Sequence, residues 1–128
     1  METLRDIYEH HNGRLLNKWD HYIEVYDNYF SKYRNKPITF LEIGIAHGGS
    51  LQMWRKYFGE HANIIAVDIN PETKKFEEPN TKIYIGSQED KDFLNQLKKL
   101  VPKVDILLDD GGHTMKQQIT HLKVYLII

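Results

Sequence analysis

The sequence contains no cysteine among its 128 residues, and this absence excludes disulfide bonds and thiolate metal sites. It also lacks an apolar run of about 20 residues, the length that crosses a bilayer, and nothing in it resembles a secretory leader. An excess of one charge is missing too, because 17 basic residues face 18 acidic residues and leave a formal net charge of -1. Such a chain has no overall field that would gather nucleic acid or an anionic membrane. These absences favour a cytoplasmic protein that binds neither.

What is present is an ordinary globular composition, with 41% hydrophobic and 27% charged residues and enough length for one core. Apolar residues recur at steps of three and four over residues 15–33, which predicts a helix that packs its aromatic stripe on the core. A ligand contact by Tyr22 or Tyr26 is the alternative. A proline then ends this segment. We therefore divide the chain into an N-terminal helical segment, 1–37, and an α/β domain, 38–128.

Short apolar runs alternate with amphipathic segments over the rest of the chain. Runs that are apolar throughout are typical of parallel strands covered on both faces by crossover helices, so the pattern predicts a doubly wound α/β fold. We expect a Rossmann-like parallel sheet of about four strands, in the order 3-2-1-4, with flanking helices. The predicted strands are Ile38 to Ile43, Asn63 to Asp68, Thr81 to Ile85 and Val104 to Asp109. The predicted helices run from a cap at Ser50 to Gly59, from Asp90 to Leu100, and over 114–128.

A glycine-bearing turn, Glu42 to Ser50, joins the first predicted strand to its crossover helix. Glycines let a ligand approach the backbone closely, and a doubly wound fold binds its ligand outside the carboxyl ends of the strands. Asp68 ends the second strand 24 positions after Gly44, where a carboxylate can take both hydroxyls of an adenosine ribose. Together the two features predict an adenosine-containing cofactor. Taken singly, they also fit a plain strand-to-helix connection and a solvated acid.

Nicotinamide dinucleotides use the same geometry, and two residues decide between them and S-adenosylmethionine. A dinucleotide turn needs a glycine where Ala46 stands, so that the pyrophosphate can meet the helix N-terminus. Glu42 places a carboxylate where a diphosphate would approach, whereas the ammonium group of a methionine moiety would be attracted to it. Both residues favour S-adenosylmethionine. The alternative for Glu42 is a capped surface residue.

The stretch from Asp105 to His113 closes the fourth predicted strand and contains two adjacent carboxylates, two glycines and an imidazole. A carboxylate is an oxygen ligand for a hard cation, and histidine is a base near neutral pH. The stretch therefore predicts a metal ligand and a general base within a few residues of each other. An acidic turn closed by glycines is the alternative.

Four motifs between Leu41 and His113 resemble those of class I methyltransferases of the macrocin and mycinamicin sugar O-methyltransferase group, and cephalosporin-hydroxylase-like proteins are similar. The motifs are LEIGIAHGGSLQMW, AVDI, IGSQ and DDGGH, and they extend over well over half of the chain. The resemblance implies S-adenosylmethionine-dependent methyl transfer, assisted by magnesium, to a hydroxyl of a sugar or a similar small molecule.

The resemblance also implies a role for each matching residue. The cofactor would be bound by Glu42, Gly44, Ala46 and Gly48 at its methionine half, Asp68 at the ribose, Ser87 and Gln88 at the adenine edge, and Asp109, which would close the pocket. Asp110 would bind magnesium, and His113 would be the catalytic base.

The chain departs from this family after Asp110, because no acidic residue follows it. Metal-assisted members complete the metal site with two acidic residues at the end of a fifth strand. We therefore expect an incomplete, C-terminally truncated domain, produced by an interrupted gene or retained as a natural small protein, with little or no catalytic activity. Its fourth strand would be an exposed edge that favours a homo-oligomer. The alternative functions are a non-catalytic cofactor-binding or assembly module and a nicotinamide-dependent oxidoreductase domain.

Overall fold

A parallel sheet of four strands in the order β3-β2-β1-β4 forms the centre of the computed structural model, which describes residues 2–14, 16, 22–45 and 47–109. The strands are β1 (Thr39–Ile43), β2 (Asn63–Asp68), β3 (Thr81–Ile85) and β4 (Ile106–Asp109). The helices are α1 (Leu4–Glu9), α2 (Ile23–Phe30), α3 (Gly49–Phe58) and α4 (Lys91–Leu100), with 3-10 helices at Ser31–Tyr33 and Pro71–Phe76. The predicted Rossmann-like fold class and strand order are confirmed.

The two faces of the sheet pack against different helices, because successive side chains of a strand point to opposite faces. On one face Phe40 of β1 packs against Trp54 of α3, with ring centroids 5.0 Å apart. On the other face Leu41 of β1 packs with Leu94 and Leu97 of α4. Both faces of β1 are thus buried, as expected for a strand of a doubly wound sheet. None of the described helices has the length and hydrophobicity that a membrane span needs.

The helix predicted over residues 15–33 is shorter in the structure. Regular α-helix is limited to α2 and is followed by a single 3-10 turn, while Leu16 lies in neither helix nor strand and 15 and 17–21 fall outside the described residues. Tyr26 stacks on Phe30 with ring centroids 5.8 Å apart and meets Trp54 edge-on at 5.9 Å. The aromatic stripe of α2 therefore packs on the core, as expected.

The N-terminal helix α1 lies within the helical segment predicted for 1–37, but its bounds were not predicted, because its six residues bury only Leu4 and Ile7. Thr3 caps it, since the Thr3 hydroxyl accepts from the backbone N–H of Asp6 and the Asp6 carboxylate accepts in return from the backbone N–H of Thr3. The backbone N–H of Leu4 also donates to Asp27 of α2 at 3.1 Å. Local capping and this contact with α2 together hold α1 in place.

Helix α3 begins differently from the prediction. Its N-cap is Gly48, whose φ of 78° is left-handed, and no side chain caps the helix. Ser50 lies one residue inside the helix, so the prediction that Ser50 is the cap is wrong. The predicted end at Gly59 is confirmed, with the N–H of Gly59 donating to the carbonyl of Arg55.

The strand and helix boundaries in the second half lie close to those predicted. β2 and β3 begin and end at the predicted residues. Asp90 is the N-cap of α4, and its carboxylate accepts from the backbone N–H groups of Asp92 and Phe93. β4 begins at Ile106, two residues later than predicted. The helix predicted over 114–128 lies outside the described residues.

Candidate cofactor-binding site

The carboxyl ends of the four strands lie at one edge of the sheet, because every neighbouring pair is parallel. The register places Ile43 of β1 beside Val67 of β2 on one side and Asp109 of β4 on the other. Asp68 ends β2, and Glu42 precedes the last residue of β1. Three acidic residues predicted for the site therefore come together at this edge, which is where a doubly wound fold binds its ligand.

Glu42 is fully buried, with 0% exposure, because it lies on the same face of β1 as Phe40 and that face is covered by α3. Its Oε1 accepts a hydrogen bond from the Ser50 hydroxyl at 2.7 Å. The alternative of a surface residue is wrong. A buried carboxylate needs donors that replace water, and Ser50 supplies one from the first turn of α3. Sequence reasoning assigned Ser50 to a cap and missed this role.

The glycine turn approaches its neighbours so closely that only glycine fits at Gly48. A Cβ there would lie 2.6 Å from the Phe76 ring and 2.9 Å from Nε of Arg14, and the φ of 78° is itself unfavourable for other residues. Gly44 has a φ of 81° and donates its N–H to the carbonyl of Val67. These two glycines thus shape the turn as predicted, while Ala46 lies outside the described residues.

Asp68 joins β2 to the glycine turn. One carboxylate oxygen accepts from the backbone N–H of Ile45, and the other accepts from the backbone N–H of Asn70, both at 2.9 Å. These bonds orient the carboxylate at the edge of the sheet instead of leaving it a freely solvated acid. Because Asp68 accepts from Ile45 of the glycine turn, a movement of the Asp68 carboxylate would also move the turn.

The loop after β3 contains an unsatisfied acceptor. Oε1 of Gln88 is buried and has no hydrogen-bond partner in the described part of the chain. Its neighbour Ser87 accepts at Oγ from the backbone N–H of Glu89. A buried acceptor without a donor costs about 1–3 kcal/mol. The amino group of a bound adenine would supply the missing donor, so this loop fits the adenine end of an adenosine cofactor.

A further residue at the turn, Arg14, was not singled out from the sequence. Its Nε donates to the carbonyl of Gly48 at 3.2 Å, and its guanidinium lies 4.7 Å from the centre of the Phe76 ring. No pattern in the sequence indicates this contact, because 34 positions separate Arg14 from Gly48. The predicted metal ligand Asp110 and base His113 lie outside the described residues, among which no group of three or more metal-binding side chains occurs.

The sheet order, the glycine turn and the acidic edge define a Rossmann-like domain of the class I methyltransferase type. No family model matches the sequence. Demethylmacrocin O-methyltransferase of Streptomyces fradiae is 36% identical over 96 residues, which are 69% of this chain and 24% of that protein. The 8-demethyl-8-(2-methoxy-alpha-L-rhamnosyl)-tetracenomycin-C 3'-O-methyltransferase of Streptomyces olivaceus is 34% identical over 109 residues, 80% of this chain and 27% of that protein.

A solved structure gives the same result. MycE, a methyltransferase of the mycinamycin biosynthetic pathway in complex with Mg, SAH and mycinamycin VI, matches with a TM-score of 0.83 and 26% identity over 98% of this chain and 34% of MycE. The homologues of this chain are therefore sugar O-methyltransferases, which confirms the resemblance seen in its motifs. The chain spans about a quarter to a third of the length of these relatives.

Proposed function

We propose that this chain is the cofactor-binding part of a cytoplasmic, S-adenosylmethionine-dependent O-methyltransferase that acts on a hydroxyl of a sugar or a similar small molecule. The buried Glu42 carboxylate beside the glycine turn is the observation that carries the proposal. A buried anion there repels the diphosphate of a dinucleotide and attracts the ammonium group of a methionine moiety. The sugar substrates in the names of the relatives support the class of acceptor.

The proposed binding residues follow the edge of the sheet. Glu42 holds the ammonium group, Gly44, Ala46 and Gly48 let the methionine half approach the backbone, Asp68 accepts from the ribose hydroxyls, Ser87 and Gln88 meet the adenine edge, and Asp109 closes the pocket. When bound, the cofactor supplies an electrophilic methyl group on a sulfonium centre. The chain's part in the reaction is then mostly to align this group with the acceptor oxygen.

The proposed catalytic residues are His113, which takes the proton from the acceptor hydroxyl, and Asp110, which binds magnesium. Magnesium supplies a positive charge that lowers the pKa of a bound hydroxyl. A single carboxylate with water ligands holds magnesium weakly, because this ion demands near-octahedral oxygen coordination. We therefore propose that Asp110 would share the ion with further oxygen ligands.

Calorimetric titration of the chain with S-adenosylhomocysteine and, separately, with NADH tests the cofactor. We expect S-adenosylhomocysteine to bind and NADH to bind far more weakly. Asp68→Ala should weaken S-adenosylhomocysteine by on the order of 1–3 kcal/mol, through loss of a charge-assisted pair of hydrogen bonds. Tighter binding of NADH would contradict the assignment.

Asp105→Ala is the matched control for that substitution. Asp105 also accepts from a backbone N–H, that of Thr39 at 2.8 Å, but it lies at the opposite edge of the sheet, just before β4. Its loss should lower stability and leave the affinity for S-adenosylhomocysteine unchanged. If both variants weaken the ligand equally, the effect of Asp68→Ala is a loss of stability and not a loss of ribose contacts.

A further inference from the structure

We propose that Arg14 binds the carboxylate at the amino-acid end of the cofactor, so that this end lies between a cation and an anion at the glycine turn. Arg14 approaches the turn from the segment after α1, and Glu42 approaches it from β1. The inference rests on the proposed function, because it requires a ligand with a free amino-acid group.

Several contacts fix the position of Arg14. Its backbone N–H donates to the Gln52 side chain of α3 at 2.7 Å, and its carbonyl lies 2.6 Å from Nε2 of His11. Its Nε bonds the Gly48 carbonyl, and the Phe76 ring supports the flat face of the guanidinium. A side chain with both its backbone and its Nε held in this way is already ordered before a ligand arrives, which reduces the entropy lost on binding.

The end of the guanidinium, formed by Nη1 and Nη2, has no hydrogen bond to the residues that the structure describes. Nη2 is buried and without a partner in the described part of the chain. Nη1 lies 3.9 Å from a carboxylate oxygen of Glu78, which is close enough for an ion pair but too far for a hydrogen bond. Two parallel N–H groups in this arrangement match the two oxygens of a carboxylate. The Arg14 side chain as a whole is 24% exposed, although its Nη2 is buried.

The two charged residues contact neighbouring positions of the same turn. Ser50, the donor to Glu42, lies two residues after Gly48, the acceptor of Arg14. An amino-acid group carries an ammonium and a carboxylate on adjacent atoms, so its charges match a cation and an anion held at one turn. A diphosphate carries only negative charge and does not match this pair. Arg14 thus adds recognition of the carboxylate to the attraction of Glu42 for the ammonium group.

Three ligands test the inference on the complete chain: S-adenosylhomocysteine, its decarboxylated analogue, and 5'-methylthioadenosine, which lacks the amino-acid group. Arg14→Gln should weaken S-adenosylhomocysteine by on the order of tenfold to hundredfold, as expected for a charge-assisted pair of hydrogen bonds. The affinities for the other two ligands should stay within about twofold, because neither has a carboxylate. Arg5→Gln, the same substitution in α1 at a surface ion pair with Glu24, should change none of the three.

Each other result has a defined meaning. Equal weakening of all three ligands by Arg14→Gln would overturn the inference, because Arg14 would then only shape the turn. Unchanged affinity for all three ligands would also overturn it. Failure of the unmodified chain to bind any of the three would overturn the proposed function first. Arg14→Lys, which keeps the charge but loses the fork, should give an intermediate loss for S-adenosylhomocysteine alone, and it serves if Arg14→Gln does not fold.

Discussion

Single polar side chains determine the shape of the candidate site at the scale of residues. Ser50 does not cap α3, but its hydroxyl donates a hydrogen bond to the buried carboxylate of Glu42. Asp68 likewise holds the backbone N–H of Ile45 in the glycine turn. A buried polar group is costly without a partner, so these pairs restrict both the turn and the carboxylates to one arrangement.

Removing the Ser50 hydroxyl should destabilise the chain. Ser50→Ala is expected to lower the free energy of unfolding by about 1.5–3 kcal/mol, because a buried carboxylate loses a donor. Chemical denaturation at pH 7 measures the change. Ser31→Ala, at an exposed position after α2, is the control and should change the free energy by less than about 0.5 kcal/mol. Equal effects of the two substitutions would mean that the Ser50 bond contributes nothing to stability.

Glu77, just after the second 3-10 helix, should make stability depend on pH. A hydrogen bond from the backbone N–H of Ile83 and another from Lys74 lower the pKa of Glu77 below its ordinary 4.5. A carboxyl group whose pKa falls on folding adds stability above the unfolded value and loses it as the pH falls through the folded value. Glu77→Gln should therefore cost about 0.5–1 kcal/mol at pH 7, since the group is near the surface.

That cost should shrink as the pH is lowered below 4.5 and vanish once Glu77 is protonated in the folded chain. Chemical denaturation of the unmodified chain and of Glu77→Gln between pH 3 and pH 7, at constant ionic strength, measures this difference in the free energy of unfolding. Glu72→Gln, an acid in the first turn of the same 3-10 helix, is the comparison. A difference between Glu77→Gln and the unmodified chain that is constant with pH would contradict the assigned cause.

At the scale of elements, one carboxylate joins the three helices on the first face of the sheet. Asp27 of α2 accepts from the backbone N–H of Leu4 at the start of α1 and from the Tyr57 hydroxyl of α3, the latter at 2.6 Å. Burial, and then the hydrogen bond with Asp27, raise the pKa of Tyr57 far above its ordinary value, so it remains a donor at any physiological pH. Arg34 covers the Tyr57 ring at 4.3 Å.

Tyr57→Phe should lower the free energy of unfolding by about 1–2 kcal/mol, because Asp27 loses one of its two donors. The loss should be largest for α1, whose amide N–H of Leu4 depends on the same carboxylate. Hydrogen exchange of α1, measured with the overall stability, separates the local effect from the global one. Tyr29→Phe is the control, since Tyr29 is 69% exposed on α2. Unchanged exchange in α1 would show that Asp27 does not couple the helices.

The elements that the sequence predicts best are those whose secondary structure depends on residues close together in the sequence. β2 contains a buried apolar run, Ile64 to Val67, and its predicted bounds are confirmed, as are those of β3. Contacts between distant residues are not visible in such patterns. The sequence places Ser50 near the start of a helix. The three-dimensional structure is needed to see that the left-handed Gly48 is the N-cap and that Ser50 donates to the buried Glu42. Arg14 is further from the turn in sequence and carries no motif.

At the scale of the whole molecule, the described sheet has different edges. β3, at one edge, presents the exposed Lys82, the kind of residue that discourages pairing with another chain. β4, at the other edge, has the sequence Ile-Leu-Leu-Asp and pairs with β1 on one side. We therefore keep the prediction that copies of this chain associate through β4.

Light scattering over a concentration series tests that prediction, and the apparent mass should rise with concentration. Hydrogen exchange should show protection in β4 that grows with concentration, while exchange in β3 stays the same. Added salt should not dissolve the assembly, because backbone pairing and apolar contact are screened little by ions. A single mass across the series would contradict association through β4.

The position of β4 in the sheet also sets an order of folding. β4 joins β1 across a separation of 66 residues, between Thr39 and Asp105, whereas β1, β2 and β3 pair with partners much nearer in sequence. Closing the longer loop costs more chain entropy, so β1, β2 and β3 should pair first and β4 should add last. Asp109 arrives with β4. The glycine turn and Asp68 should therefore be in place before β4 pairs with β1, and Asp109 should join Glu42 and Asp68 at the carboxyl edge only in the last step of sheet assembly.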